Sequence, residues 1–261
     1  FLVDAFSAEF LADRRVIAPD WRGFGQTTGP ACDHYAFPDY LGDLDALLAH
    51  YAPDRPVDLV GHSMGGNVVM MYAGTRPGRI HRLVNLEGFG SPATQPEQAP
   101  KRYTQWLDEI GALARGEKEL QTYTDASRVA ARLRKTNPRL PEDKAEWLAR
   151  QWAEARPQAD GSTHWVIRGA AAHRVVSAQL FRVNEMLALY AAITAPTLMV
   201  VASDNQMAHW WQGRYTLDEF EQRIKAVRDL RMEHLAGCSH MLHHDQPEAL
   251  ARLMESFLTK S

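Results

Sequence analysis

The stretch VDLVGHSMGGNVVMMYA, Val57 to Ala73, changes its hydrophobic period in the middle. Up to Gly61 it is a short apolar run of strand character, and from Gly66 onward it continues as an apolar helix, so the stretch predicts strand, tight turn and helix. A single serine, Ser63, stands at the change of period, inside the pattern Gly61-His62-Ser63-Met64-Gly65. That G-x-S-x-G pattern puts the serine on a sharp strand-to-helix elbow and presents its oxygen. The two glycines are expected because side chains at Gly61 and Gly65 would collide with nearby backbone in so tight a turn. The bland alternative is a glycine-rich turn with an idle serine. A strand directly before the serine and a helix directly after it favour the nucleophile.

Working outward, strand and helix signals alternate. Towards the N-terminus, Asp39 to Tyr51 places Leu41, Leu44, Leu47 and Leu48 on one helical face, and the β-branched run Arg14 to Asp20 predicts a strand ended by a loop with Gly23 and Gly25. FLVDAFSAEFLA at the start reads as the middle of an amphipathic helix carrying Phe6, Phe10 and Leu11. After the elbow helix, ended by Gly74 and Pro77, Arg82 to Gly88 predicts a strand. The rhythm stops at GFGSPATQPEQAP, a linker by composition. Lys101 to about Ile193 reads as mainly helical and carries Trp106, Trp147, Trp152 and Trp165. It resumes with a strand at Ala195 to Ser203, a helix near Leu217 to Val227, a strand at Met232 to Gly237 and a helix from Pro247 to Leu258. The expected fold is α/β, a mostly parallel sheet flanked by helices, with a core of residues 1–88 and 194–261 and a helical cap of residues 89–193.

The 261 residues and 45% hydrophobic content suffice for such a core. With 29 Lys and Arg against 32 Asp and Glu the net charge is −3, and no long tract carries one sign. Nucleic acid and anionic membrane are therefore not expected partners, and a small-molecule substrate is. No apolar run approaches the roughly 18 residues that span a bilayer, and no signal-peptide pattern opens the chain, which makes the cytoplasm the default location. Cys32 and Cys238 are too few for a disulfide framework and lack zinc spacing.

A serine hydroxyl is a weak nucleophile, so it needs a base, a group to orient the base, and donors for the oxyanion. APDWRGFGQT, LVGHSMGG, PTLMVVASDN and GCSHMLHHDQPEAL together resemble the α/β-hydrolase superfamily, in its serine-hydrolase-like group with a Ser-His-acid triad. The resemblance implies His240 as the base, in the loop after the last strand; His243 and His244 compete but are expected to face solvent or cap the following helix. It leaves the acid open. The turn Ala202-Ser203-Asp204-Asn205 has Asp204 one residue early, while some relatives, including many haloalkane dehalogenases, carry the acid after the strand that follows the nucleophile helix, where Glu87 stands. Glu87 is preferred over Asp204. Met64 N–H is expected as one oxyanion donor.

The other donor, a His-Gly loop in the family, does not precede Phe1. The resemblance therefore implies that about three strands and this loop lie outside these residues, and a separate N-terminal fragment completing the sheet is one partner it leaves open. Trp106, Trp147, Trp152 and Trp210 are candidates for the substrate pocket, together with Met186, Leu187 and Tyr190; Phe24 reads as a loop anchor. The leading expectation is a serine hydrolase cleaving a small to medium apolar carboxylic ester through an acyl-enzyme, a carboxylesterase-like chemistry that needs no cofactor and no metal. Two alternatives stand beside it: a C–C bond hydrolase of the same fold, for which Arg168, Arg174 or Arg182 could supply a basic cap residue, and a non-catalytic ligand-binding pseudo-hydrolase. An Asp nucleophile, which epoxide hydrolases and haloalkane dehalogenases require, is absent at position 63.

Overall fold

The computed structural model describes residues 2–27, 29 and 31–259. In chain order the elements are α1 Leu2–Ala5, α2 Ala8–Ala12, α3 Phe37–Tyr51, β1 Val57–His62, α4 Met64–Thr75, β2 Ile80–Leu86, α5 Ala99–Ala114, β3 Thr122–Tyr123, α6 Ala126–Thr136, α7 Glu142–Trp152, β4 Ala153–Pro157, β5 Thr163–Ile167, α8 Val183–Ala192, β6 Thr197–Ala202, α9 Met207–Trp211, α10 Leu217–Ile224, β7 Leu230–Leu235, α11 Leu242–Asp245 and α12 Pro247–Leu258. They form two compact units: residues 1–16, 37–96 and 180–261, and residues 17–36 with 97–179. Relative to the cap boundaries read from sequence, residues 89–96 and 180–193 group with the sheet unit, whereas 17–36 group with the insertion.

The first unit is built on a parallel four-stranded sheet in the order β1-β2-β6-β7. Composition explains the order. Every residue of β6 (TLMVVA) is buried, as expected for an inner strand covered on both faces, whereas β1 and β7 at the two edges are only partly buried. Alternation then divides the inner strands between two layers. Val84, Leu86, Leu198, Val200 and Ala202 pack on one side with Leu250, Met254, Phe257 and Leu258 of α12 and with Phe10. On the other side α4 lies against β1 and β2 and buries Val68, Val69, Met70, Tyr72 and Ala73. All four strands run the same way, so their C-terminal ends bring the turns after β1, β2, β6 and β7 to one edge, where α/β proteins bind their ligands.

Two expectations are corrected. The N-terminal helix is two short helices, because the Ser7 side chain caps the second by accepting the Phe10 N–H at 3.0 Å. Arg14 to Asp20 is not a strand. Arg14 instead pairs with Asp58 at 2.7 Å and donates to the Leu258 carbonyl at 3.0 Å, leaving Val16 and Ile17 exposed. A β-branched run becomes a strand only where a neighbour supplies the ladder. The insertion, read as mainly helical, also carries three short strands, β3, β4 and β5.

The second unit combines α5, α6 and α7 with an antiparallel sheet of order β3-β5-β4. The core of its sheet is β5 (THWVI), with Trp165 opposite both Tyr123 and Ala155. Phe24 anchors the 17–36 segment within this unit: it bridges to Gly169 and stacks on His173 at 3.9 Å, and Tyr35 stacks on His173 at 4.0 Å. No helix among the described residues is long and apolar enough to cross a membrane.

Candidate active site

Ser63 occupies the step from β1 into α4 with φ 53° and ψ −116°. A positive φ in a non-glycine residue costs on the order of 1–3 kcal/mol and persists only where surrounding bonds over-determine it. Here the Ser63 N–H extends the β1–β2 ladder to the Leu86 carbonyl at 2.8 Å, and the Ser63 carbonyl accepts from Asn67 N–H at 3.1 Å as the first bond of α4. The glycines act differently from one another. A Cβ on Gly61 would come within 2.3 Å of the Gly65 carbonyl oxygen, so Gly61 is sterically required. A Cβ on Gly65 would meet nothing within 4 Å, which corrects the expectation of a collision there. The second close approach belongs to Gly66, where a Cβ would come within 2.3 Å of Asn85 Oδ1.

A pair of substitutions separates these roles. Gly61→Ala is expected to destabilise the chain by more than ~2 kcal/mol, since backbone cannot yield as a side chain does. Gly65→Ala is expected to leave stability unchanged or raise it by up to ~1 kcal/mol, the helix-propensity difference. Urea unfolding of both variants measures this; equal destabilisation would contradict the assignment.

Glu87 follows β2 and is also held at positive φ, 58°. Its turn is closed by Asn85, a fully buried residue that donates through Nδ2 to the Gly88 carbonyl and accepts the Gly88 N–H through Oδ1, both at 2.9 Å. The Glu87 N–H donates to the Val200 carbonyl at 3.1 Å, tying the turn to β6. Its carboxylate is buried, which is tolerable only because both oxygens are engaged. Oε1 accepts the Ala202 N–H at 2.7 Å, and Oε2 lies 3.2 Å from His240 Nδ1.

His240 lies in the loop between β7 and α11, and its Nε2 is 2.9 Å from Ser63 Oγ. With Glu87 as acceptor, Nδ1 carries the proton and donates to Oε2, leaving the Nε2 lone pair to accept the Ser63 hydroxyl proton. Ser63, His240 and Glu87 therefore form one hydrogen-bonded line. Asp204 is exposed in the turn after β6, where its N–H donates to the Cys238 carbonyl at 3.1 Å; the carboxylate brought to His240 is that of Glu87. Met64 is the first residue of α4, so its N–H lies outside the helical bonding ladder and at the positive end of the helix dipole.

Of the four pocket tryptophans, Trp210 belongs to the same unit as Ser63 and stands edge-on to the His240 ring at 4.5 Å. Trp106, Trp147 and Trp152 belong to the second unit. There Trp106 lies edge-on to His34, Trp152 stacks under the Arg132 guanidinium, and Trp147 is exposed. Met186 and Tyr190 are buried on α8 in the sheet unit.

The histidines around His240 depart from the sequence reading. His243 is half-buried rather than solvent-facing: it packs against His62 at 4.5 Å and His244 at 4.2 Å, and its Nδ1 is enclosed. Burial pushes the His62 imidazole down to about 4 and that of His243 down to about 2. Both are neutral in the fold while free histidine titrates near 6.5. As pH falls below 6.5 the unfolded chain binds protons that the folded chain refuses, so stability is fully present above that pH and is lost as pH falls towards 4. The expected slope is about 1.4 kcal/mol per pH unit for each such histidine. Urea midpoints measured between pH 7 and 4 check this, and a flat profile would contradict it. Among the described residues, no group of three or more His, Cys, Asp or Glu is arranged to hold a metal ion.

Residues 2–247 match the family described as the alpha/beta hydrolase fold. The chain belongs to this family. Over 254 residues, 94% of the chain and 74% of the relative, this alpha/beta hydrolase is 25% identical to a serine hydrolase-like protein of Danio rerio. An 82-residue stretch, 31% of the chain, is 42% identical to the 2-hydroxy-6-oxo-2,4-heptadienoate hydrolase of Pseudomonas putida; that match spans 29% of the relative's length. Among solved structures, the thioesterase domain from the curacin biosynthetic pathway aligns with a TM-score of 0.76 at 24% identity, covering 97% of this chain and 85% of that domain. That likeness is one of fold.

Sequence reasoning missed three residues around the site: Asn85, which closes the Glu87 turn, His62, whose Nε2 donates to the His240 carbonyl, and Asp245, whose carboxylate accepts from Ser239. Asn85 is a polar residue at an inner-strand position, a signal visible in RLVNLEG. Nothing in the local pattern announces the other two.

Proposed function

We propose that this alpha/beta hydrolase is a serine hydrolase that cleaves small to medium apolar carboxylic esters through an acyl-enzyme, with Ser63 as nucleophile, His240 as base and Glu87 as the orienting acid. The observation that carries the reading is the continuous line from Ser63 Oγ through both ring nitrogens of His240 to Glu87, at 2.9 and 3.2 Å.

In the first half-reaction Ser63 Oγ attacks the ester carbonyl as its proton passes to His240 Nε2. The carbonyl electron pair moves onto oxygen, where Met64 N–H donates to it, and the imidazolium is stabilised by the Glu87 carboxylate. Collapse expels the alcohol, which takes the proton from Nε2. In the second half-reaction the same nitrogen takes a proton from water, whose oxygen attacks the acyl-enzyme, and returns it to Ser63. The aromatic edge of Trp210 beside His240 gives the reacting carbonyl an apolar neighbour, which supports an apolar substrate.

A second reading rests on the 42% identical segment shared with the heptadienoate hydrolase. The same triad would then act in cleaving a C–C bond next to a ketone. All three arginines named for it have partners within their own units: Arg168 lies 3.7 Å from the Glu154 carboxylate, Arg174 donates to the Glu119 carbonyl, and Arg182 pairs with Glu185 on the surface. Assays of purified protein against p-nitrophenyl acetate to octanoate and against a vinylogous diketone acid separate the readings. Turnover of the short esters with no cleavage of the dienoate is the expected result; the reverse would replace the ester reading. Silence on both with a folded protein would favour a ligand-binding role.

A further inference from the structure

His62, the residue immediately before Ser63, takes no part in the proton transfers above, yet its ring is fixed against the base. Its Nε2 donates to the main-chain carbonyl of His240 at 2.7 Å, joining the last residue of β1 to the loop after β7 across 178 positions of sequence. The two rings lie 4.8 Å apart. The preceding residue is held from the other side: Ser239 N–H and Oγ–H both donate to Asp245 Oδ2, at 2.8 and 2.9 Å. The loop that carries the base is thus fixed just before His240 by α11 and at His240 by the nucleophile's own elbow.

We propose that His62 is a positioning residue for His240: its Nε2–H, rigidly attached to the turn that carries Ser63, holds the His240 carbonyl and thereby sets the distance between Ser63 Oγ and the base. The inference rests on the reading of Ser63 and His240 as nucleophile and base. Its physical content is that a proton transfer over 2.9 Å is intolerant of drift, because misplacement by about 1 Å can cost ~100-fold in rate. Without His62 the main chain at His240 loses its direct tie to the residue before Ser63, and the base is held by its side-chain bonds to Ser63 and Glu87 and by the Ser239–Asp245 pair. His240, His243 and His244 surround the His62 ring. Nε2 carries its hydrogen in both the neutral and the charged ring, so the bond persists when His62 takes up a proton.

The test compares His62→Gln, His62→Asn and His62→Leu. A glutamine amide nitrogen reaches nearly where Nε2 stands, an asparagine amide falls short, and leucine keeps bulk without a donor. Two readouts are used: the rate of covalent labelling by a fluorophosphonate probe, and kcat and KM for p-nitrophenyl butyrate, with near-UV circular dichroism as the control for folding. The expected result is near wild-type rates for His62→Gln, and a fall of ~10- to 100-fold in kcat and labelling rate, with KM unchanged, for His62→Asn and His62→Leu. Wild-type rates in folded His62→Leu, or equal losses in the glutamine and leucine variants, would overturn the proposal. Should His62→Leu fail to fold, the order of glutamine over asparagine decides it. Absence of labelling in the wild-type protein would overturn the catalytic reading and this inference with it, whereas labelling that ignores position 62 overturns the positioning role alone.

Discussion

Replacing Ser63 with alanine is expected to lower kcat for p-nitrophenyl butyrate by ~10⁵-fold or more, to the level left by substrate binding and oxyanion donors alone. The reason is local. Ser63 Oγ, the proposed nucleophile, lies 2.9 Å from His240 Nε2, and alanine removes that atom while leaving the elbow's backbone bonds to Leu86 and Asn67 in place. Stability should change little, and relief of the positive φ is not expected, because alanine is strained there as well. Steady-state kinetics on freshly purified variant, with a thermal melt as control, measures the effect. Retention of more than a hundredth of wild-type activity would mean that another residue is the nucleophile.

The second large effect is expected at Glu87. Glu87→Gln should cost ~10⁴-fold in kcat through the tautomer it imposes on His240. The Ala202 N–H donates to Oε1 at 2.7 Å and demands an acceptor, so the glutamine oxygen takes that place. The amide NH2 then faces His240 Nδ1, which must accept rather than donate. The ring proton moves to Nε2, and the base can no longer take the Ser63 proton. Because Glu87 is buried, removing its charge is expected to leave stability equal or higher, and the loss of activity would not be a loss of fold. Asp204→Asn is the comparison, with activity retained. A reversed pattern, with Asp204→Asn inactive and Glu87→Gln active, would assign the acid to the turn after β6.

Much of this arrangement is legible in the sequence, for reasons that differ from residue to residue. The elbow is legible because Val57 to Ala73 carries two periodicities and a glycine whose absence of a side chain is obligatory. His240 is legible by resemblance, since the loop after the last strand has a recognisable pattern. The acid is not. Glu87 and Asp204 both follow strands whose ends lie together, and the choice depends on turn conformation: the Asn85–Gly88 bonds and a positive φ aim Glu87 at His240. Long-range side-chain bonds of that kind leave no local pattern.

The same limit explains the secondary-structure corrections. Ala153 to Pro157 (AEARP) has little strand propensity and becomes β4 by pairing with the aromatic and β-branched β5. Arg14 to Asp20 has the propensity and lacks the neighbour. Strand formation follows the partner in both cases. His243 illustrates a related point about charge: a histidine near a helix start reads as solvated, but the neighbouring His62 and His244 rings enclose it and burial keeps it neutral.

The central claim, that Ser63 is an activated nucleophile, is tested most directly by covalent capture. The protein is incubated with a fluorophosphonate probe at pH 7.5, digested, and the modified peptide sequenced by tandem mass spectrometry. The account predicts one stoichiometric adduct on Ser63, lost in Glu87→Gln. No adduct on a folded protein, or an adduct on a different residue, would contradict it.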